Sequence, residues 1–169
     1  CAAQIAQTAP RGPVYVNLDV GIQEQRLDSL PQTPDVSRYP VPQPPQPAAE
    51  LVEQAARLLS QAKNPVMLAG RCSRSLDAWN ARIRLAEKLN IPVLTHIKLA
   101  AAFPTDHPLH AAPPGNRLTA EAKKLIAEAD VILSLDWLDL GGALKQALGD
   151  NVKAKIIQVS CDAHAHRGW

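Results

Sequence analysis

Proline divides this chain before any other feature is read. Fifteen of the 169 residues are proline, and seven of them crowd between Pro31 and Pro47. They stand in Pro31-Gln32-Thr33-Pro34 and in Pro40-Val41-Pro42-Gln43-Pro44-Pro45-Gln46-Pro47. Each one removes a backbone donor and pushes its predecessor out of the helical region, so the stretch predicts neither helix nor central strand. It reads as an extended, semi-rigid spacer of polyproline type, a connector rather than a ligand for a proline-recognising module. The expected division is therefore residues 1–24, a linker over 25–47 and a main domain over 48–169.

The block before the linker is short. Ala2 to Thr8 can end a helix, Pro10-Arg11-Gly12-Pro13 breaks it, and Val14-Tyr15-Val16-Asn17-Leu18 reads as a strand between breakers. One helix end and one strand cannot bury a core of their own. The expectation is the last piece of another domain, with the strand either mobile or paired with another copy.

After the linker the pattern becomes regular. Leu51, Val52, Ala55, Leu58, Leu59 and Ala62 recur at helical spacing up to Lys63-Asn64-Pro65. Val66–Gly70 is a short apolar run, and Ser75 can cap a helix carrying Leu76, Trp79, Ile83, Ala86 and Leu89. Ile91–Thr95 predicts the next strand, followed by an irregular stretch from His96 to Leu118. Then come a helix over Ala120–Ala129, a strand over Val131–Leu135, a helix over Leu138–Leu148 and a strand over Lys155–Ser160. Strands separated by helices are βαβ units, and their nearly unbroken apolar character fits strands covered on both faces. The fold class expected is α/β, a Rossmann-like doubly wound parallel sheet with helices on both faces. Ligands of such sheets sit beyond the carboxyl ends of the strands, here Ala69–Ser75, Thr95–Lys98, Leu135–Asp139 and Ser160–His166.

Composition excludes several classes. Eighteen Lys+Arg against sixteen Asp+Glu give a formal charge of +2, which is no footprint for nucleic acid. No apolar run reaches the length of a membrane span, and Cys1-Ala2-Ala3-Gln4 does not open a signal peptide. Cys1, Cys72 and Cys161, odd in number and widely spaced, look like thiols of a cytoplasmic protein.

Three constellations carry possible chemistry. Gly70-Arg71-Cys72-Ser73-Arg74-Ser75 lies between a strand and a helix, where free amides and guanidinium groups can hold a phosphate. It has one glycine where a dinucleotide fingerprint has three, so a plain turn with solvated arginines competes. Cys72, between Arg71 and Arg74, is a candidate for a lowered thiol pKa but has no adjacent base. Cys161-Asp162-Ala163-His164-Ala165-His166 resembles a metal half-site, yet a closed zinc site needs four ligands and no paired cysteines supply the rest. No metal site is assigned, and Asp162 suits a ribose-binding acid better. Asp136 and Asp139 can do acid/base work, but a helix cap and first turn explain both. His96, His107 and His110 fall in or beside the irregular stretch and read as loop hydrogen-bonders. No catalytic residue is assigned.

Seven segments, in order, resemble one family. Gly12-Pro13-Val14-Tyr15-Val16-Asn17-Leu18-Asp19-Val20 is similar to the segment that closes the pyrimidine-binding domain of thiamine-diphosphate-dependent enzymes of the acetolactate synthase, benzoylformate decarboxylase and pyruvate oxidase type. The proline-rich linker follows. Lys63-Asn64-Pro65-Val66-Met67-Leu68-Ala69-Gly70, Ala86-Glu87-Lys88-Leu89-Asn90-Ile91-Pro92-Val93 and Phe103-Pro104-Thr105-Asp106-His107-Pro108-Leu109 then resemble segments of the family's middle domain. So do Ala129-Asp130-Val131-Ile132-Leu133 and Lys155-Ile156-Ile157-Gln158-Val159-Ser160-Cys161-Asp162.

The resemblance implies a fragment of a three-domain 2-keto-acid decarboxylase or carboligase, comprising its non-catalytic central domain with a scaffold and interface role. The catalytic glutamate of that family and its Mg²⁺-diphosphate motif belong to the other two domains, so thiamine diphosphate and Mg²⁺ would be held by the parent enzyme and not by this part. It further implies those two domains as partners and a homo-oligomer, dimer or tetramer. The alternative is a nucleotide-binding module for FAD or ADP, as the middle domain of acetolactate synthases holds FAD. Carried over, Gly70 and Arg71 match the start of a G-x-G loop whose second glycine is here Cys72, with Ser73 beside it. Thr95 and Lys98 match the loop after the second strand, and Asp162 the ribose-side acid. The two arginines of the flavin-binding G-v-R-f-d-d-R segment have no counterpart in Leu135–Leu140.

Overall fold

A computed structural model of the chain describes residues 1–162. It divides into two compact units, Cys1–Gln46 and Pro47–Trp169.

The first unit holds two short helices, α1 (Ala2–Gln7) and α2 (Val20–Glu24), and one 3₁₀ turn, Val36–Arg38. Asp19 caps α2 by accepting the Gly21 amide. The strand expected over Val14–Leu18 does not form: the segment is irregular, with Tyr15, Val16 and Leu18 exposed. A strand needs a neighbour for its backbone groups, and this unit contains no sheet to offer one. The spacer is also not extended throughout. Its longest proline-free gap, between Pro34 and Pro40, closes into the 3₁₀ turn because the Asp35 carboxylate accepts both the amide and the hydroxyl of Ser37, at 3.0 and 2.7 Å.

The second unit alternates strands and helices from α3 (Ala49–Gln61) onward. They are β1 (Pro65–Ala69), α4 (Leu76–Leu89), β2 (Val93–Thr95), α5 (Ala120–Glu128), β3 (Val131–Leu135), α6 (Leu140–Leu148) and β4 (Lys155–Val159). Each of the last three helices has a side-chain cap: Ser75 accepts the Ala78 amide, Thr119 that of Ala122, and Asp139 that of Gly142. Asn90 ends α4 in the left-handed region at φ 47°, a conformation asparagine tolerates better than most residues.

The four strands form one parallel sheet in the order β2-β1-β3-β4. Alternation across the pleat splits the core in two. On one face Met67, Ala69 and Leu133 meet Leu59 of α3 and Ala86 of α4; on the other, Val66, Leu68 and Ile132 meet Ala122 and Ile126 of α5 and Ala143 and Leu144 of α6. The architecture is thus α/β/α, a doubly wound parallel sheet. Burying side chains such as Met67, Leu68 and Ile132 contributes about 2 kcal/mol each, and this is what selects the fold.

The two edges of the sheet differ from expectation and from each other. β2 is short because Pro92 has no amide to donate, although its carbonyl accepts the Met67 amide at 2.9 Å. Its outer edge is covered: the Val93 amide donates to Leu109 O at 2.8 Å, and the Ala111 amide to Val93 O at 3.0 Å. β4 was expected to be covered on both faces, yet Ile156 and Val159 are 36% and 48% exposed. Among the described residues it has a neighbour on one side only and no helix follows it.

At the amino ends of the strands one carboxylate ties the sheet together. Asp130 accepts the amides of Lys63 at 2.7 Å and Asn64 at 3.0 Å, while its own carbonyl accepts the Lys155 amide at 2.9 Å. The Lys63 amide above all, with help from that of Asn64, holds its pKa below the ordinary 3.8. A depressed carboxylate stabilises the fold above the unfolded pKa and loses that contribution as pH falls through the folded one. Asp130→Asn is expected to cost about 1 kcal/mol at neutral pH and to flatten the fall in unfolding free energy on acidification. Urea unfolding at neutral and acid pH measures both.

Candidate functional site

The chain leaves β1 toward β2 on one side and returns to β3 on the other. That reversal places a crevice between the carboxyl ends of β1 and β3, where open α/β sheets take their ligands. Here the crevice is closed by the protein's own backbone. The Gly70 amide donates to Leu135 O and the Arg71 amide to Asp136 O, both at 2.9 Å. A Cβ on Gly70 would lie 2.1 Å from Asp136 O, so only glycine permits the approach.

Side chains complete the closure. Arg71 Nε lies 2.9 Å from Asp136 Oδ2, and its Nη2 reaches Asp136 Oδ1 at 3.2 Å and Asp162 Oδ2 at 2.8 Å. Ser160 Oγ donates to Asp136 Oδ1 at 2.5 Å and accepts the Asp162 amide at 3.0 Å. Asp136 is 9% exposed, sits at φ 53°, and donates its own amide to Val159 O at 2.8 Å. The hydrogen bond to Asp162, and after it that to Asp136, raises the Arg71 pKa further above its ordinary value. Asp136 is therefore not the helix cap that its position suggested; Asp139 alone caps α6. One guanidinium bridges two carboxylates, so Arg71 is already engaged where a diphosphate would need it.

The neighbouring loop is equally self-satisfied. Ser73 Oγ accepts the Ser75 amide at 3.3 Å, and Ser75 Oγ accepts the Ala78 amide at 3.3 Å, so the start of α4 is capped from within. Cys72 is half-buried and donates to Leu135 O at 3.7 Å. Burial pushes its thiol pKa up, outweighing the nearby charge of Arg82. The lowered pKa expected from the flanking arginines does not arise, because burial dominates.

Thr95 and Lys98 belong to a different place. With His96, Arg117 and Trp137 they line a cleft of about 160 Å³ between the carboxyl ends of β2 and β3 and the starts of α5 and α6. Thr95 Oγ1 lies 2.8 Å from His110 Nε2. His96 Nδ1 accepts the Lys98 amide at 3.1 Å, and its ring meets Trp137 edge-on at 5.5 Å. Burial lowers the pKa of both imidazoles below 6.5, with Lys98 adding to the effect at His96. His107 lies apart from this cleft, 3.4 Å from Glu87.

The structure thus separates the six residues singled out from the sequence. Gly70, Arg71, Ser73 and Asp162 lie at the crevice, and Thr95 and Lys98 on the cleft wall. His164 and His166 lie outside the described residues. Among the described residues no group of three or more His, Cys, Asp and Glu is placed to hold a metal ion. Sequence reasoning missed Arg82. It is 7% exposed and donates Nε to Ala102 O at 2.8 Å, Nη1 to Ser73 O at 3.0 Å and Nη2 to Ala101 O at 3.1 Å, joining the loops after β1 and β2. A signal existed: position 82 lies three after Trp79 and four before Ala86, on the apolar face of α4.

Residues 52–167 match the family described as thiamine pyrophosphate enzyme, central domain. The chain belongs to this family. The chain is 37% identical over 124 residues to a sulfoacetaldehyde acetyltransferase of Rhodobacter capsulatus, covering 73% of this chain and 20% of that protein. It is 31% identical over 143 residues to a probable acetolactate synthase large subunit of Methanocaldococcus jannaschii, covering 79% of this chain and 23% of the other. Among solved structures, benzoylformate decarboxylase from Polynucleobacter necessarius superposes with a TM-score of 0.61 at 25% identity, over 96% of this chain and 30% of that one. The chain spans about a fifth of the length of the curated relatives it matches.

Two outcomes follow for the central domain. Gly70→Ala is expected to destabilise it by on the order of 3 kcal/mol, since the new methyl group meets backbone rather than a movable side chain; thermal and urea unfolding report the loss. Iodoacetamide near neutral pH is expected to modify Cys72 roughly tenfold more slowly than the exposed Cys1 and Cys161. Peptide mapping over time distinguishes the three, and equal rates would contradict the buried, protonated thiol.

Proposed function

We propose that this central domain is the scaffold and interface domain of a thiamine-diphosphate-dependent enzyme that decarboxylates 2-keto acids and transfers or joins the acyl unit. The sulfoacetaldehyde acetyltransferase and acetolactate synthase relatives support that reaction class. In such an enzyme bound thiamine diphosphate supplies the nucleophilic carbon. The described residues of this chain do not fit that cofactor or its Mg²⁺. The carboxylates at the strand ends are committed to Arg71 and Ser160, and no cluster of metal-ligating side chains is present among them. The parent's cofactor-binding domains are the partners proposed, in a cytoplasmic homo-oligomer.

The observation that carries the scaffold reading is the closed crevice. Where a doubly wound sheet opens for a nucleotide, Gly70 lies against Asp136 and Arg71 is held by two carboxylates. What the residues here do is fix three strand ends relative to one another. This gives the domain a rigid end from which loops after β2 and β3 extend.

An FAD- or ADP-binding module is the competing reading, and it has to rely on the Lys98 and Arg117 side of the cleft. Titration of the chain with FAD and with ADP, followed by flavin fluorescence and thermal shift, separates the two. The scaffold reading expects no shift up to millimolar ligand. Saturable binding in the micromolar range would overturn it.

A further inference from the structure

We propose that residues 107–111, which cover the outer edge of β2, form an acid-sensitive strap, fastened by imidazole nitrogens that hold it only while unprotonated. A neutral imidazole offers one donor and one acceptor; imidazolium offers two donors and no acceptor. Two rings in the loop after β2 use their acceptor on the main chain. His96 Nδ1 accepts the Lys98 amide and His107 Nδ1 accepts the Leu109 amide, each at 3.1 Å. A proton on either nitrogen would point at an N–H, so protonation breaks both bonds. The third ring, His110, meets the Thr95 hydroxyl through Nε2 at 2.8 Å. That hydroxyl can turn to accept, so this contact outlasts protonation.

The cover of β2 depends on these bonds. Leu109, placed by His107, gives its carbonyl to the Val93 amide at 2.8 Å, and the Ala111 amide donates to Val93 O at 3.0 Å. The His110 amide donates to His107 O at 2.9 Å and closes the turn between them. The middle of the loop is held differently. Arg82 binds the Ala101 and Ala102 carbonyls, and Phe103 is buried, so no imidazole is needed there. Release is thereby confined to residues 96–99 and 107–111.

The surroundings set the direction. Burial, and after it the charge of Lys98, disfavours a charged His96. Arg117 and Asp139 line the same cleft, and Asp139 is already the cap of α6. Burial likewise disfavours a charged His110, with the Thr105 backbone opposing. Both rings therefore titrate below the ordinary 6.5. The stability they lend is complete above that value and is lost as pH falls through the lowered ones. His107 has a carboxylate in reach, Glu87 of α4 at 3.4 Å, with the exposed Asp106 adjoining it in sequence. A charged His107 keeps Glu87 and gives up Leu109, so its hold passes from the strap to α4.

Hydrogen exchange of the 169-residue chain, expressed as protection factors at about pH 7.5 and about pH 5, tests the strap. The Val93, Lys98, Leu109 and Ala111 amides are expected to lose protection roughly tenfold at the lower pH, while those of Leu68 and Leu133 keep theirs. Unchanged protection at the four amides would overturn the proposal, and so would an equal loss throughout the sheet. His96→Asn with His107→Asn supplies uncharged side-chain oxygens that accept the same amides at either pH. In that variant the four amides are expected to stay protected; a loss as large as in the unsubstituted chain would refute the part given to the imidazoles. Imidazole ¹⁵N shifts need no variant: near neutral pH His96 and His107 are expected to carry their proton on Nε2, and a proton on Nδ1 of either contradicts the geometry. The strap lies outside the β1–β3 crevice, so it stands or falls apart from the ligand titrations that test the scaffold reading.

Discussion

The approach of Gly70 to the Asp136 carbonyl is the contact around which the carboxyl end of the sheet is organised. β1 and β3 run side by side in register from Pro65 against Val131 to Ala69 against Leu135. The pairing then continues one step past both strands through the Gly70 and Arg71 amides. That step brings the Arg71 guanidinium within reach of Asp136. An ion pair with one partly exposed partner contributes little by itself. Here the pair is anchored by backbone on one side and by Ser160 on the other, so each charged group has more than one partner. Asp136 is held in a left-handed conformation that an isolated aspartate adopts only at a cost. The surrounding hydrogen bonds offset that cost.

Much of the fold was legible because local and global signals agree. Met67, Leu68, Ile132 and Leu133 are apolar without alternation, as strands covered on both faces must be. Ser75 marks the start of α4 where the structure has it. The misses share a cause. Val14–Leu18 has the composition of a strand, but whether β-branched residues become one depends on a neighbour that no local window contains. Ile156–Val159 is apolar for the same reason as β3, yet its place at the edge is a property of strand order, which the sequence does not display.

The candidate site was legible as a set of loops and not as a set of contacts. Gly70, Arg71 and Asp162 were singled out for a phosphate or a ribose, and the structure instead joins Arg71 to Asp162 across 91 positions of sequence. Opposite charges at two strand ends can either bind a ligand between them or bind each other. The choice is set by separation, and at 2.8 Å the protein has made it internally. Asp136 was read as a cap because carboxylates before helices usually are. Its neighbour Asp139 takes that role three residues later.

Arg82 carries a consequence for how this domain can change over time. All three of its anchors are main-chain carbonyls, those of Ser73, Ala101 and Ala102. Every residue type supplies a carbonyl, so the identities at those positions are free to drift while the loops keep their course. The whole demand falls on one long, forked cation that a lysine cannot imitate. Descendants of this sequence can therefore diverge widely across both loops and still share their shape, with a single arginine as the visible trace of it.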